Sequence, residues 1–140
     1  MIELKSQREI EIMSRAGKVA ALLLKELEQV IRPGMRTIEL DEIANRFICS
    51  RGCQPAFKGY KGYPCAICAS VNEEVVHAVP GQKRLKEGMV LAIEPMVTEG
   101  DYEVEIHEDG WTAVTKDRKL AAHFEHTVAI TAEGPRILTQ

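Results

Sequence analysis

The chain has 140 residues and a formal net charge of −3, with 45% hydrophobic and 28% charged residues. This length suits one domain with a modest core, and the composition is that of an ordinary folded, soluble protein. The weak negative charge gives no electrostatic reason to expect nucleic acid or acidic lipid as a partner. No apolar run approaches the roughly 20 residues that cross a membrane, so no membrane partner is expected.

The N-terminal residues mix acids and bases and lack the apolar centre of a signal peptide. We therefore expect a cytoplasmic protein whose four cysteines are reduced. The sequence has no low-complexity segment, linker or internal repeat, and we expect residues 1–140 to form a single domain.

Two helices are predicted in the first third of the chain. Ser6 and Glu9 form an S-x-x-E capping box, and apolar residues then follow at helical spacing until Pro33 stops the helix. Thr37 can cap a second helix, and Gly52 is suited to end it in a left-handed conformation.

Short strands are predicted after residue 64, over the segments AICASV, EVVHAV, MVLAIE, YEVEIH, WTAVT and HFEHTVAI. Asn72–Glu73 suits a tight turn, and Asp109–Gly110 predicts a hairpin. In the last segment, alternation places Phe124, His126, Val128 and Ile130 on one face and His123, Glu125 and Thr127 on the other. Two helices followed by about six strands predict an α+β fold with mostly antiparallel pairing.

Three polar residues, His77, Glu94 and Glu125, stand in otherwise apolar strand segments. A buried carboxylate is costly unless it is paired, hydrogen-bonded or bound to metal, and glutamate and histidine both bind divalent transition metals. The plainer interpretation is that the acids end at strand edges in water while the imidazole bonds a backbone carbonyl. Spacing alone favours that plainer interpretation.

Four cysteines, Cys49, Cys53, Cys65 and Cys68, have a spacing close to that of zinc sites. The first pair falls at a predicted helix end, and residues 54–64 offer no zinc-binding turn, so reduced, partly buried thiols are preferred. A catalytic disulfide in CAIC is disfavoured because no helix begins there to lower a thiol pKa. The segment KGYKGYP lacks the pattern of a phosphate-binding loop.

Four segments together resemble type I methionine aminopeptidases. They are PAFKGYKGYPCAICASVNEEVVHAVPG (Pro55–Gly81), LKEGMVLAIEPMV (Leu85–Val97), DGWTAVT (Asp109–Thr115) and AHFEHTVAIT (Ala122–Thr131). The resemblance covers nearly the entire chain. It implies the pita-bread fold and a cytosolic enzyme that removes the initiator methionine from new polypeptides.

The resemblance also implies a site with a pair of divalent metal ions (Co, Mn, Fe, Zn or Ni) that activate a water and polarise the scissile carbonyl. Glu94 and Glu125 match the two glutamate ligands of the family, and His77 matches a histidine that contacts the substrate. Four further residues match those that line or border the pocket for the methionine side chain: Tyr60, Tyr63, Cys68 and Trp111.

The chain departs from the family because the segments that carry two aspartate ligands and one histidine ligand are absent. In the family, the pattern L-K-x-G-x-V-x-I occurs twice, and here LKEG runs directly into MVLAIEPM. We infer an internal deletion that follows the two-fold pseudo-symmetry of the fold. It leaves a half pita-bread unit of two N-terminal helices on a mostly antiparallel sheet, engineered or resembling a half-sized ancestor.

A half unit leaves one sheet face uncovered, and such a patch is closed most simply by a two-fold homodimer. The dimer would join two copies of His77, Glu94 and Glu125, with His77 and Glu94 catalytic and all three binding metal. We expect activity on N-terminal methionine peptides to be weak or absent, because glutamate is longer than the missing aspartates. The alternatives are a non-catalytic scaffold or minimal fold without metal, and a zinc ion bound by the cysteines.

Overall fold

The computed structural model describes residues 6–74, 76–106, 108 and 113–139. Two helices, α1 (Gln7–Val30) and α2 (Thr37–Ser50), precede the strands. The strands are β1 (Gln54–Pro55), β2 (Ile67–Val71), β3 (Val90–Thr98), β4 (Val104–Ile106), β5 (Ala113–Thr115), β6 (Ala121–His123), β7 (His126–Thr131) and β8 (Gly134–Ile137). Every strand pairing in this part of the chain is antiparallel, which confirms the predicted α+β fold.

Helix α1 begins as its sequence predicts. Ser6 is the N-cap, its backbone N–H donates to Glu9 Oε2 over 2.6 Å, and its hydroxyl accepts from the Glu9 N–H over 3.4 Å. This reciprocal pair satisfies two of the donors that a helix start leaves free. The helix ends at Val30, and Ile31 has extended backbone angles before the proline at position 33.

Helix α2 begins one residue earlier than the sequence indicates. Arg36 is the N-cap, and Thr37 is already the first helical residue. The Thr37 hydroxyl instead bonds Gly81, donating to its carbonyl over 3.2 Å and accepting from its N–H over 2.9 Å. A tertiary partner has therefore replaced the expected local cap. The predicted end is correct, since Gly52 has a φ of 70° and donates to the Cys49 carbonyl.

Strand β3 is the centre of the main sheet. Its first half pairs with β2 on one edge and β7 on the other, and its second half pairs with β1 and β6. The pairs Met96–His123 and Ile93–His126 belong to one register, so β6 and β7 form one interrupted strand. The interruption lies beside Pro95, which has no N–H to donate, although the Phe124 N–H still donates to the Pro95 carbonyl.

The predicted strand over EVVHAV is wrong for the described residues 74 and 76–79, while Val75 lies outside the described residues. The backbone of His77 has a φ of 57°, in the left-handed region, which ends any extended run. Ala78 makes a local contact with the edge of β2 instead. Its carbonyl accepts from the Ala69 N–H, and its N–H donates to Ser70 Oγ.

The C-terminal strands differ from the sequence prediction in two ways. β4 and β5 form the predicted antiparallel hairpin, with Val104 opposite Thr115, but its Asp109–Gly110 turn lies outside the described residues. Strand β8 was not predicted. It pairs with β7, and Gly134 at its start has a φ of 119° that favours glycine.

Both helices pack on one face of the main sheet. The core joins α1 and α2 to the alternate strand residues Ile67, Ala69, Val71, Leu91, Ile93, Val97 and Ile130. The intervening β3 residues, at positions 90, 92, 94 and 96, are only half-buried. Neither α1 nor α2 covers this second face, which we call the open face. No helix of the described chain is long and apolar enough to span a bilayer.

Candidate active site

Two carboxylates lie side by side on the open face. Glu94 of β3 is opposite Cys68 of β2, and the common register of β6 and β7 places Glu125 opposite Glu94 on the other edge. The Phe124 N–H donates to the Pro95 carbonyl, so Pro95 and Phe124 occupy a hydrogen-bonded position of the ladder. Opposite pairs alternate in type along an antiparallel ladder, so Glu94 and Glu125 form a non-hydrogen-bonded pair. Cα atoms of such pairs are about 4.5 Å apart, closer than in hydrogen-bonded pairs.

The closeness of these carboxylates perturbs the protonation of Glu94. Partial burial raises the pKa of Glu94 above its ordinary value, and the negative charge of Glu125 raises it further. The positive charges of His123 and His77 act in the opposite direction. A divalent cation would relieve the repulsion between the two carboxylates.

An open cavity of 570 Å³ lies beside the carboxylates. Met96, two residues beyond Glu94 on the same side of β3, forms part of its wall. The other lining residues are Ala56, Phe57, Tyr60, Lys61, Gly62, Tyr63, Pro64, His77, Val79, Val104, Ile106 and Ala113. The cavity is therefore mainly apolar and aromatic, a lining that suits a thioether side chain.

The predicted pocket residues are partly brought together. Tyr60 and Tyr63 line the cavity, and the Tyr63 hydroxyl is within 3.2 Å of the Ile67 and Ala78 carbonyls, to either of which it can donate. Cys68 does not line the cavity, since it is only 2% exposed, and its thiol interacts with the Tyr63 side chain. Burial raises the pKa of the Cys68 thiol to about 11, which keeps it protonated. Trp111 lies outside the described residues.

The histidines separate into two places. His77 is exposed at the cavity, with its ring centroid 6.1 Å from that of Phe57. His123, opposite Met96, is on the open face with Glu94 and Glu125. Alternation along HFEHTVAI correctly predicts that His123 and Glu125 share a face, but no motif in the sequence assigns His123 a role. Phe57 and Met96, which also form the cavity wall, were missed because their segments read simply as loop and core.

The donor set fits a divalent metal only in part. Carboxylate oxygens and imidazole nitrogens are suitable ligands. However, no group of three or more histidine, cysteine, aspartate or glutamate side chains within the described residues is arranged to hold an ion. The same finding gives no support to a zinc site at the cysteines, all four of which are free thiols. The described chain thus offers two adjacent carboxylates and nearby imidazoles rather than a complete coordination sphere.

Two helices thus pack on one face of an antiparallel sheet, and two carboxylates lie on the other face beside an apolar cavity. Residues 11–87 match the model of metallopeptidase family M24, and the chain belongs to this family. Family membership implies dependence on a divalent metal.

The chain is similar to methionine aminopeptidases in both sequence and structure. It is 32% identical to methionine aminopeptidase 1 of Bacillus subtilis, with 100% of each chain covered. It is 30% identical to the methionine aminopeptidase of Clostridium perfringens, with 99% of each covered. The crystal structure of methionine aminopeptidase from Rickettsia prowazekii matches with a TM-score of 0.66 at 22% identity, covering 100% of both chains, which shows the fold. The resemblance to type I methionine aminopeptidases and the pita-bread fold is confirmed.

Proposed function

We propose that this protein is a methionine aminopeptidase-type metallohydrolase whose metal site is completed by a second copy of the chain. The observation that carries the proposal is the adjacent pair Glu94 and Glu125 on the open face, beside an apolar cavity. The substrate would be a peptide with an N-terminal methionine, as in the names of the relatives. We retain the expectations of a single domain and a cytoplasmic location.

The length of the alignments supports an internal deletion. They extend over 246 and 247 positions, whereas this chain has 140 residues, so many positions of the relatives face no residue here. Both ends of the relatives are nevertheless covered. Alignments that reach both ends of the relatives but leave many of their positions unmatched are expected when residues are lost from the middle of the sequence. The deletion would lie where LKEG is followed directly by MVLAIEPM.

The partial donor set supports a two-fold homodimer. If the open faces of two copies met, each would bring Glu94, Glu125 and nearby imidazoles, and the uncovered residues of β3 would be buried. A symmetric interface of one face with itself is the commonest closed arrangement of identical chains. The second copy would occupy the position that the missing half takes in the longer relatives.

Each part of the site then has a distinct task. The cavity binds the methionine side chain between the rings of Tyr60 and Tyr63, while His77 at its wall orients the peptide. Glu94 and Glu125 would hold the divalent metal, and both carboxylates would be ionised when they do so. The metal, when bound, would supply Lewis-acid activation of a water and of the scissile carbonyl.

The competing function is a non-catalytic scaffold whose carboxylates point into solvent. The two functions can be distinguished by incubating the protein with the peptide Met-Ala-Ser and Mn²⁺ or Co²⁺ and measuring the methionine that is released. The proposal predicts metal-dependent release that stops on chelation, at a low rate because glutamates replace aspartates, and no comparable release from Lys-Ala-Ser. Calorimetric titration without stoichiometric heat, together with no released methionine, would favour the scaffold.

A further inference from the structure

One wall of the apolar cavity belongs to a hairpin that is separate from the main sheet. Val104 and Ile106 of β4 and Ala113 of β5 line the cavity. In the part of the chain that the structure describes, these two strands pair only with each other. A two-stranded hairpin alone is marginally stable in water. The position of this wall therefore depends on contacts between the hairpin and the rest of the chain.

Tyr102, two residues before β4, makes such a contact with the loop of residues 57–64, which we call the tyrosine loop because it carries Tyr60 and Tyr63. The Tyr102 ring lies against Gly59. A Cβ at position 59 would be 2.7 Å from Tyr102 Cε2, well inside the separation at which carbon atoms attract. Gly59 also has a φ of 93°, which favours glycine. The ring thus occupies space that only a glycine leaves open.

The contact connects two rigid parts of the cavity. On the hairpin side, the Lys116 N–H donates to the Glu103 carbonyl over 2.9 Å, which extends the ladder of β4 and β5 to the neighbour of Tyr102. On the other side, the Gly59 N–H donates to the Tyr63 carbonyl over 2.8 Å, which ties position 59 to a tyrosine of the cavity. A displacement of the Tyr102 ring would therefore move one lining surface relative to the other.

We propose that Tyr102 is a positioning residue, which holds the hairpin against the tyrosine loop and so sets the width of the cavity for the substrate side chain. The inference rests on the proposed function, which assigns the methionine side chain to this cavity, but it requires no metal ion. With the wall held in place, Val104 and Ile106 contact the thioether together with the two tyrosines of the loop.

The test compares the full chain, without metal, with its variants Tyr102→Ala, Tyr102→Phe, Gly59→Ala and Gly62→Ala. Gly62 lies in the same loop with a φ of 80°, but a Cβ there would meet no described atom within 4 Å. Gly62→Ala is therefore the control for backbone strain without the contact. Amide hydrogen exchange reports the protection of residues 104–106 and 113–115. Calorimetry with L-methioninamide as the probe measures binding in the cavity.

We expect Tyr102→Ala and Gly59→Ala to lose protection of the hairpin, while the amides between β2 and β3 stay protected as in the parent. Both variants should bind L-methioninamide about tenfold more weakly, a loss typical of one missing apolar contact in a pocket. Tyr102→Phe should restore protection and affinity, because the contact is made by ring carbons. Gly62→Ala should keep the hairpin protected.

The outcomes separate this inference from the proposed function. Parent-like protection or parent-like affinity in Tyr102→Ala would overturn the positioning role. Equal loss of hairpin protection in Gly59→Ala and Gly62→Ala would also overturn it, since strain and not the contact would then be the cause. A parent that does not bind L-methioninamide, with the hairpin still deprotected in Tyr102→Ala, would overturn the assignment of the cavity to methionine and support Tyr102 as the residue that holds its wall.

Discussion

Glu94 and Glu125 face each other across β3 and the interrupted strand β6–β7 as a non-hydrogen-bonded antiparallel pair on the open face. Two like charges in this position destabilise a sheet unless something binds them. The sheet therefore carries an electrostatic cost at the place where we propose that a cation binds.

Replacing either carboxylate should remove the metal. Glu125→Gln is expected to lose stoichiometric uptake of Mn²⁺ or Zn²⁺ while keeping the dimer, because it removes a ligand without changing side-chain size. Metal content after gel filtration measures this, with Glu87→Gln, an exposed glutamate before β3, as the control. Equal metal in Glu125→Gln and the parent would count heavily against the site.

Stability of the metal-free protein should depend on pH through Glu94. Its pKa is raised above the ordinary value of 4.5, so the folded state holds more protons than the unfolded state just above that pH. The free energy of unfolding should then fall as pH rises from about 4.5 through the folded pKa.

Glu94→Gln should remove this contribution. We expect the variant to exceed the parent in stability at pH 7 by a few tenths to about 1 kcal/mol and to match it below pH 4. Urea unfolding of both proteins at several pH values measures the difference. The pKa of Asp41 is also raised by burial, but Asp41 is present in both proteins, so its contribution to the pH dependence cancels in the difference between them. A parent that is more stable than the variant at pH 7 without metal would contradict the electrostatic account.

The open face should be the dimer contact. Ala92 lies on this face between Ser70 and Thr127, and Ala92→Arg would place a charge in the interface while leaving the helix-side core intact. We expect the variant to be monomeric by light scattering and to lose metal. Leu22→Arg, at an exposed position of α1, should leave the mass unchanged. Dissociation by the helix variant, with Ala92→Arg still dimeric, would place the contact elsewhere.

The helix-side core should contain most of the fold's apolar stabilisation. Leu23 is 0% exposed and its neighbour Leu22 is 48% exposed, which makes a matched pair within one helix. Leu23→Ala should cost about 2–5 kcal/mol of unfolding free energy, and Leu22→Ala no more than about 0.5 kcal/mol. Urea denaturation measures both. Similar losses in the two variants would mean that α1 is packed differently.

Local signals in the sequence are sufficient to predict the start of α1, the end of α2 and the two faces of the last strand. The capping box at Ser6 and the alternation that puts His123 and Glu125 together involve neighbours a few residues apart. Thr37 and His77 were mispredicted because their conformations depend on distant partners or on a left-handed backbone that residue types do not reveal. Tertiary contacts of this kind override local propensity.

The candidate site was predictable only in part for the same reason. The resemblance identified Glu94 and Glu125 individually, but their direct opposition depends on strand register, and a slip of one residue would turn either side chain to the other face. The cavity wall formed by Phe57 and Met96 likewise combines a loop and a central strand that are far apart in the chain.

The most direct test of the account measures solution mass and bound metal on one sample of the full chain, after loading with Mn²⁺ and removal of free ion. Multi-angle light scattering should give about twice the 15.6 kDa chain mass, and elemental analysis should find one or two ions per dimer. A 15.6 kDa monomer that retains no metal would contradict a site shared between two copies and would leave the scaffold alternative.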